Sequence, residues 1–184
     1  METTDSKRRD NPAPEMKLRP VGVVSSPLQK PTLVAEDGDL SWKPRSPQPD
    51  DGMVVADIII DDDLDGIMDG IEEFSHLLVL FWAHMVPPEG RSIRKGHPMG
   101  RRDMPLTGIF ATCSPARPNT ICATVVRLLE RKDNILTVEG LDALDGSPVV
   151  DIKPYNPSYY PDGEVRLSGW LDQLRQEFAQ AKDS

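Results

Sequence analysis

Residues 75–84 read SHLLVLFWAH, with an unbroken apolar run from Leu77 to Ala83. The stretch is short and too apolar for anything but a buried β-strand. Upstream, residues 53–60 (MVVADIII) are β-branched and bounded by Gly52 and Asp61, which predicts a second strand. Between the two, Leu64, Ile67, Met68 and Ile71 recur at i, i+3, i+4 and i+7, the stripe of a short helix that any of Asp61 to Asp63 can cap. Apolar alternation over 17–24 predicts a first strand, and 25–52, rich in Pro, Ser and Asp, reads as a long loop. Downstream, 106–112 reads as a strand, 124–130 and 135–139 flank the turn residues 131–134 as a hairpin, and 148–152 adds a short strand. Leu167, Leu171, Leu174 and Phe178 then fall at helical spacing. The sum is mostly β: a small antiparallel β-barrel with one short internal helix and a C-terminal helix. Residues 1–15 read as a disordered tail, 16–160 as the barrel domain and 161–184 as the C-terminal helix.

A chain of 184 residues suits one such domain. No apolar run approaches a membrane span, and the polar N-terminus shows no secretory signal. Two cysteines, Cys113 and Cys122, are too few for a disulfide scaffold. A cytoplasmic protein without a membrane partner is expected. The net charge of −9 argues against generic adhesion to phosphate, yet the charges are segregated. Residues 57–73 hold eight acids and no Lys or Arg, whereas 91–102 (RSIRKGHPMGRR) hold five Lys or Arg and no acid. A basic island in an acidic chain is the more informative pattern.

Asp61, Asp63, Asp65, Gly66 and Glu72 match the D-x-D-x-D-G-x5-E calcium loop. Its context is wrong, because a strand precedes it, another follows, and the helical stripe runs straight through it. A capped acidic helix is the better reading, with a calcium-binding module as the outlying alternative. His76, His84 and His97 share no ligand spacing, since His76 and His84 would stand ~26 Å apart on one strand. The cysteines lack the C-x2-C pairing of zinc sites, so no metal is expected. No G-x-G-x-x-G or P-loop is present. What remains is two stretches, FATCSPARPNTICAT (110–124) and LDALDGSPVVDIKPY (141–155). In the first, Pro115 and Pro118 forbid continuous strand pairing and make a stiff loop that presents polar groups. The second gathers Asp142, Asp145 and Asp151 around a Gly-Ser-Pro turn. Each stretch taken alone reads first as a well-capped turn and only second as a site.

Together, and in this order, Val21 to Val24 with Ser26-Pro27, Ile71 to His76, Phe110 to Thr124 and Leu141 to Tyr155 resemble the TsaA-like family. These are S-adenosylmethionine-dependent tRNA methyltransferases that methylate N6-threonylcarbamoyladenosine beside the anticodon. The resemblance covers roughly 17–157, and Asp145-Gly146-Ser147-Pro148 through Tyr155 is its most specific part. It implies a small β-barrel that dimerises, with S-adenosylmethionine near the subunit interface and no metal. It also implies a cofactor groove lined by His84, Met85, Cys113, Ser114, Arg117, Asn119, Ala123, Asp145, Gly146, Ser147 and Pro148. Arg117 reads equally as an ion pair closing its own loop.

The chain departs from the family pattern F-A-T-R-S-P-x-R-P-N-P-I-G-L-S at Cys113, Thr120, Cys122, Ala123 and Thr124, and lacks the Pro-Arg-Gln that often follows the first strand. Losing an Arg at 113 removes a forked cation able to hold a carboxylate. The chemistry implied is direct methyl transfer to a nitrogen, driven by alignment, with Asp145 or Asp151 as candidates to handle the proton. The basic island supplies Arg94, Lys95, Arg101 and Arg102 as the residues expected to meet tRNA phosphates. Three readings stand: the tRNA methyltransferase, an S-adenosylmethionine-dependent relative with another acceptor, and a non-enzymatic calcium- or cofactor-binding module.

Overall fold

The computed structural model describes residues 16–36, 39–42, 54–159 and 163–182. The expected tail, 1–15, lies outside them, as do residues 43–53. The strands are β1 (Gly22–Ser25), β2 (Leu33–Glu36), β3 (Asp39–Trp42), β4 (Val55–Ile60), β5 (His76–Trp82), β6 (Lys95–Gly96), β7 (Thr107–Gly108), β8 (Ile121–Lys132), β9 (Ile135–Glu139) and β10 (Pro148–Pro154). One α-helix among the described residues, α1 (Gly169–Lys182), follows them. Six of the strands close an antiparallel barrel in the order β1-β10-β5-β8-β9-β4.

The apolar run that announces the fold becomes β5, paired with β8 from His76↔Arg127 to Trp82↔Ile121 and with β10 on its other edge. Alternation sends Leu77, Val79 and Phe81 into the barrel, where they meet Ile58 and Ile60 of β4 and Leu136 and Val138 of β9. Each such side chain contributes about 1.5–3 kcal/mol when fully buried. The barrel interior is therefore a packed core. Residue pairing shifts register at 149–151 and at 128–130, the bulges that let so small a sheet curl shut.

Three sequence expectations change. The internal helix is two 3₁₀ turns, Asp62–Leu64 and Ile71–Glu73, joined by tight turns. Gly66 (φ 75°) and Gly70 (φ 84°) sit in the left-handed region and break the helical path. Three residues of its apolar stripe still reach the core, Met68 buried with Leu64 and Ile71 beside it, while Ile67 is exposed. The segment seals the barrel end that carries the β8–β9 turn, where Asn134 Nδ2 donates to Ile60 O and Asp62 Oδ1. The second change is in 25–52, expected to be a loop, which contains the hairpin β2–β3. The third is in 106–112, expected to be a strand, where only β7 and the 3₁₀ turn Ile109–Ala111 form.

These two surprises belong together. Leu40 of β3 packs with Ile93, Ile109 and Ala116 in a second small core, with Val86 against it. Gly96 has no Cβ because one would lie 2.9 Å from Leu40 Cγ. Asp39 Oδ1 accepts the backbone N–H groups of Leu40 (2.7 Å) and His97 (3.1 Å), and its Oδ2 faces His97 Nδ1 at 3.2 Å. The hairpin and residues 86–116 thus form a layer over the barrel end opposite the sealed one.

Candidate functional site

Between that layer and the barrel end lies a cavity of about 620 Å³. Phe81, Ile121 and Cys122 form its barrel side, Met85 and Val86 follow from the end of β5, and Leu144 and Ser147 come from the loop before β10. Thr112, Cys113 and Arg117 face them from the proline-stiffened loop, and Lys30 to Thr32 approach ahead of β2. The volume suits one small-molecule ligand. Its walls are apolar along Phe81, Val86 and Leu144, with a carboxylate (Asp142), an ammonium (Lys30) and a guanidinium (Arg117) among them.

Five of the residues expected in the groove stand on this wall: Met85, Cys113, Arg117, Ala123 and Ser147. The others stand behind it or outside it. His84 Nδ1 lies 3.2 Å from Ser147 Oγ and so orients a wall residue. Asp145 Oδ1 accepts Ser26 N–H at 3.0 Å, its own N–H donates to Leu28 O, and Gly146 N–H donates to Val24 O. The Asp145-Gly146 pair therefore clamps the chain that leads to Lys30. Ser114 is buried and caps the loop by accepting Ala116 N–H at 3.2 Å. Asn119 is exposed and Pro148 opens β10, and neither lines the cavity. Arg117 makes no ion pair among the described residues: its Nε and Nη2 donate to the carbonyls of Ser114 (2.7 Å) and Thr112 (2.6 Å), which fixes the loop while leaving the charge at the wall.

The two carboxylates chosen from sequence for proton handling, Asp145 and Asp151, stand away from this cavity. Asp145 is engaged with Ser26, and Asp151 pairs with Lys153 Nζ at 2.5 Å on β10, so neither reaches the cavity. The carboxylate on the wall is Asp142, whose Oδ1 accepts the Thr124 hydroxyl at 2.6 Å. Its signal in the sequence is the spacing D-x-x-D in LDALDGSP, where Asp142 and Asp145 take different jobs. Burial, and after it the negative charge of Asp142, pushes the Cys122 thiol up to about 11. That thiol is protonated at neutral pH and is no nucleophile.

The basic island divides as well. Arg101 is consumed internally, paired with Asp103 and with Glu177 of α1, and these hydrogen bonds raise its pKa further. Arg91 stacks 5.7 Å from the Trp82 ring centroid. Arg94, Lys95 and Arg102 are exposed and make no ion pair among the described residues. The calcium-like pattern is also spent on protein partners. Arg19 holds Asp63 at 2.6 Å, while Arg131 holds Glu72 at 2.9 Å and Asp69 at 3.2 Å. No cluster of three or more metal-ligating side chains occurs among the described residues.

Comparison with known proteins gives this geometry a family. The tRNA-methyltransferase O N-terminal domain matches residues 41–160. A probable S-adenosyl-L-methionine-binding protein of Methanothermobacter thermautotrophicus is 42% identical over 145 residues, covering 77% of this chain and 90% of that protein. A mouse tRNA (adenine(37)-N6)-methyltransferase is 39% identical over 108 residues, which cover 59% of this chain and 25% of the mouse protein. The crystal structure of TrmO from Pseudomonas aeruginosa superposes with a TM-score of 0.59 at 28% identity, over 83% of this chain and 61% of that one. This chain therefore spans about three-fifths of the solved protein. With the domain matched over more than half its length, and so similar a relative matched nearly end to end, the chain belongs to the tRNA-methyltransferase O family.

Proposed function

We propose that this protein methylates N6 of N6-threonylcarbamoyladenosine beside the tRNA anticodon, as a homodimer. By family it is an S-adenosylmethionine-dependent tRNA methyltransferase; the modified adenosine and the homodimer are the finer reading. The observation that carries it is the cavity, assembled from the two loops whose sequences bear the family resemblance. Its residues fit the cofactor. Asp142, Lys30 and Arg117 supply the charges that a zwitterionic amino-acid group needs, and Phe81, Val86 and Leu144 supply apolar surface for the rest. When bound, S-adenosylmethionine supplies an electrophilic methyl group.

The protein's own part is positioning and exclusion of water. Arg117, tied to two backbone carbonyls, holds the 112–117 loop rigid over the cavity. The Asp145 clamp sets the opposite wall through Ser26. Such fixed walls convert a bimolecular reaction into an effectively unimolecular one, and no covalent enzyme intermediate is required. The acceptor nitrogen gains the methyl group and loses one proton. Asp142, at the wall and already accepting from Thr124, is the carboxylate positioned to receive it, directly or through water.

The test is incubation with labelled S-adenosylmethionine and total tRNA, followed by nucleoside analysis. Label in methylated threonylcarbamoyladenosine supports the reading, and label in another nucleoside overturns its acceptor. One observation favours a second reading, a different acceptor: Cys113 stands on the cavity wall where the family pattern has Arg, so the change falls within the site itself. Cofactor binding without tRNA labelling would select it.

A further inference from the structure

The cavity has room for one small molecule, so a second reactant has to approach from its mouth. What stands there is Phe110, which lines the cavity yet is 79% exposed. Its backbone is fixed. Neighbouring Ile109 is buried in the second core, Ile109 N–H donates to Arg94 O at 2.9 Å, and Thr112 Oγ1 donates back to Ile109 O at 2.8 Å. A rigid turn thus presents an apolar ring that stays largely uncovered within one protomer.

The same hydrogen bonding sets positive charge beside it. Strand β6 pairs with β7 in the register Lys95↔Gly108, so Arg94 and Lys95 lie opposite the residues that lead into Phe110. Both are exposed and make no ion pair among the described residues. An exposed aromatic ring next to unpaired cations is the arrangement that binds unpaired nucleotides, with the ring stacking on a base and the cations meeting its phosphates.

We infer that Phe110 is the stacking platform for an unpaired nucleobase of the tRNA acceptor loop, held at the cavity mouth with Arg94 and Lys95 on the adjacent backbone. This rests on the tRNA reading above and adds the residue that positions the acceptor. A base stacked there is the occupant because the flanking charge is cationic and the partner is a polyanion.

The experiment compares wild type with Phe110→Ala, Phe110→Trp and Phe110→Leu in steady-state methylation. KM for tRNA and KM for S-adenosylmethionine are measured separately, with melting temperature and oligomeric state recorded for each variant. The expected result is a KM for tRNA raised roughly tenfold to a hundredfold in Phe110→Ala, consistent with the loss of one stacked base. Phe110→Trp should restore it, Phe110→Leu should not, and KM for the cofactor should stay within about twofold. Because the ring is exposed, truncation leaves the core intact and the melting temperature unchanged.

Rescue by Leu as well as Trp would show a generic apolar contact and overturn the inference. So would an unchanged KM for tRNA in Phe110→Ala, or a loss of activity that tracks dissociation of an oligomer. Wild-type protein that binds S-adenosylmethionine but labels no tRNA would overturn the underlying reading instead, and that result is separate from any behaviour of the variants.

Discussion

Asp142 and Cys122 show how one side chain sets the chemistry of another at the cavity wall. The carboxylate accepts the Thr124 hydroxyl, and its charge adds to burial in keeping the Cys122 thiol protonated. Replacing Asp142 with Asn keeps the shape but removes the charge. Cofactor affinity measured by calorimetry should fall roughly tenfold, in line with the ~1.5–3 kcal/mol that hydrogen bonds to charged groups contribute. An affinity within twofold of wild type would show that Asp142 takes no part in binding. The thiol gives a second readout. A pKa near 11 leaves almost no thiolate at pH 7.5, so Cys122 should alkylate with iodoacetamide far more slowly than the exposed Cys113. Its rate should climb about tenfold per pH unit up to pH 10, and start higher in Asp142→Asn.

At the scale of elements, the layer over the barrel end hangs on Asp39. Burial works to raise the pKa of this carboxyl, but the backbone N–H groups of Leu40 and His97, and the charges of His97 and Arg102, together hold it below its ordinary value. A depressed carboxyl contributes stability above its unfolded pKa, and that contribution is lost as pH falls through the folded value. Asp39→Asn should therefore melt below wild type at pH 7, and the difference should close as pH falls from about 5 to 2. A gap that persists at low pH would mean the carboxylate charge is immaterial. This layer is also where the sequence is hardest to read. The six barrel strands were legible because alternation and β-branching act within one strand, and SHLLVLFWAH alone places the longest ladder. Strands β2 and β3 are four residues each and gain their order from Leu40 meeting Ile93 and Ile109, a contact that local periodicity does not carry. The helical stripe at 64–71 misled for the opposite reason: its apolar spacing is real, but Gly66 and Gly70 dictate the backbone. At the site, loop composition pointed to segments that line the cavity. Which aspartate faces the cavity depended on Ser26 being 119 positions away in sequence and adjacent in space.

Across the whole molecule, charge is divided between the two ends of the barrel. The acidic segment 57–73 runs into the turns that seal one end, and the basic segment 91–102 belongs to the layer over the cavity at the other. In a chain of net charge −9, that division sets a local excess of cations in the layer over the cavity, the kind of charge asymmetry that steers an approaching polyanion. The cations there are not equivalent. Arg101 is paired with Asp103 and Glu177 and holds α1 in place, so its charge is already spent. Arg94, Lys95 and Arg102 make no ion pair among the described residues, and the proposed phosphate contacts rest on Arg94 and Lys95 first, because Arg102 also acts on Asp39. Replacing Arg94 and Lys95 together with Gln should lower the slope of log affinity for tRNA against log salt by about 1.5, since each phosphate contact contributes roughly 0.7–0.9. Cofactor affinity and melting temperature should be unchanged. Arg101→Gln should do the reverse, lowering the melting temperature by loosening α1 while leaving the salt slope near wild type. Equal slopes for all three proteins would mean that the basic segment aids solubility alone. A slope lowered by Arg101→Gln would mean that α1 releases its arginine when tRNA binds.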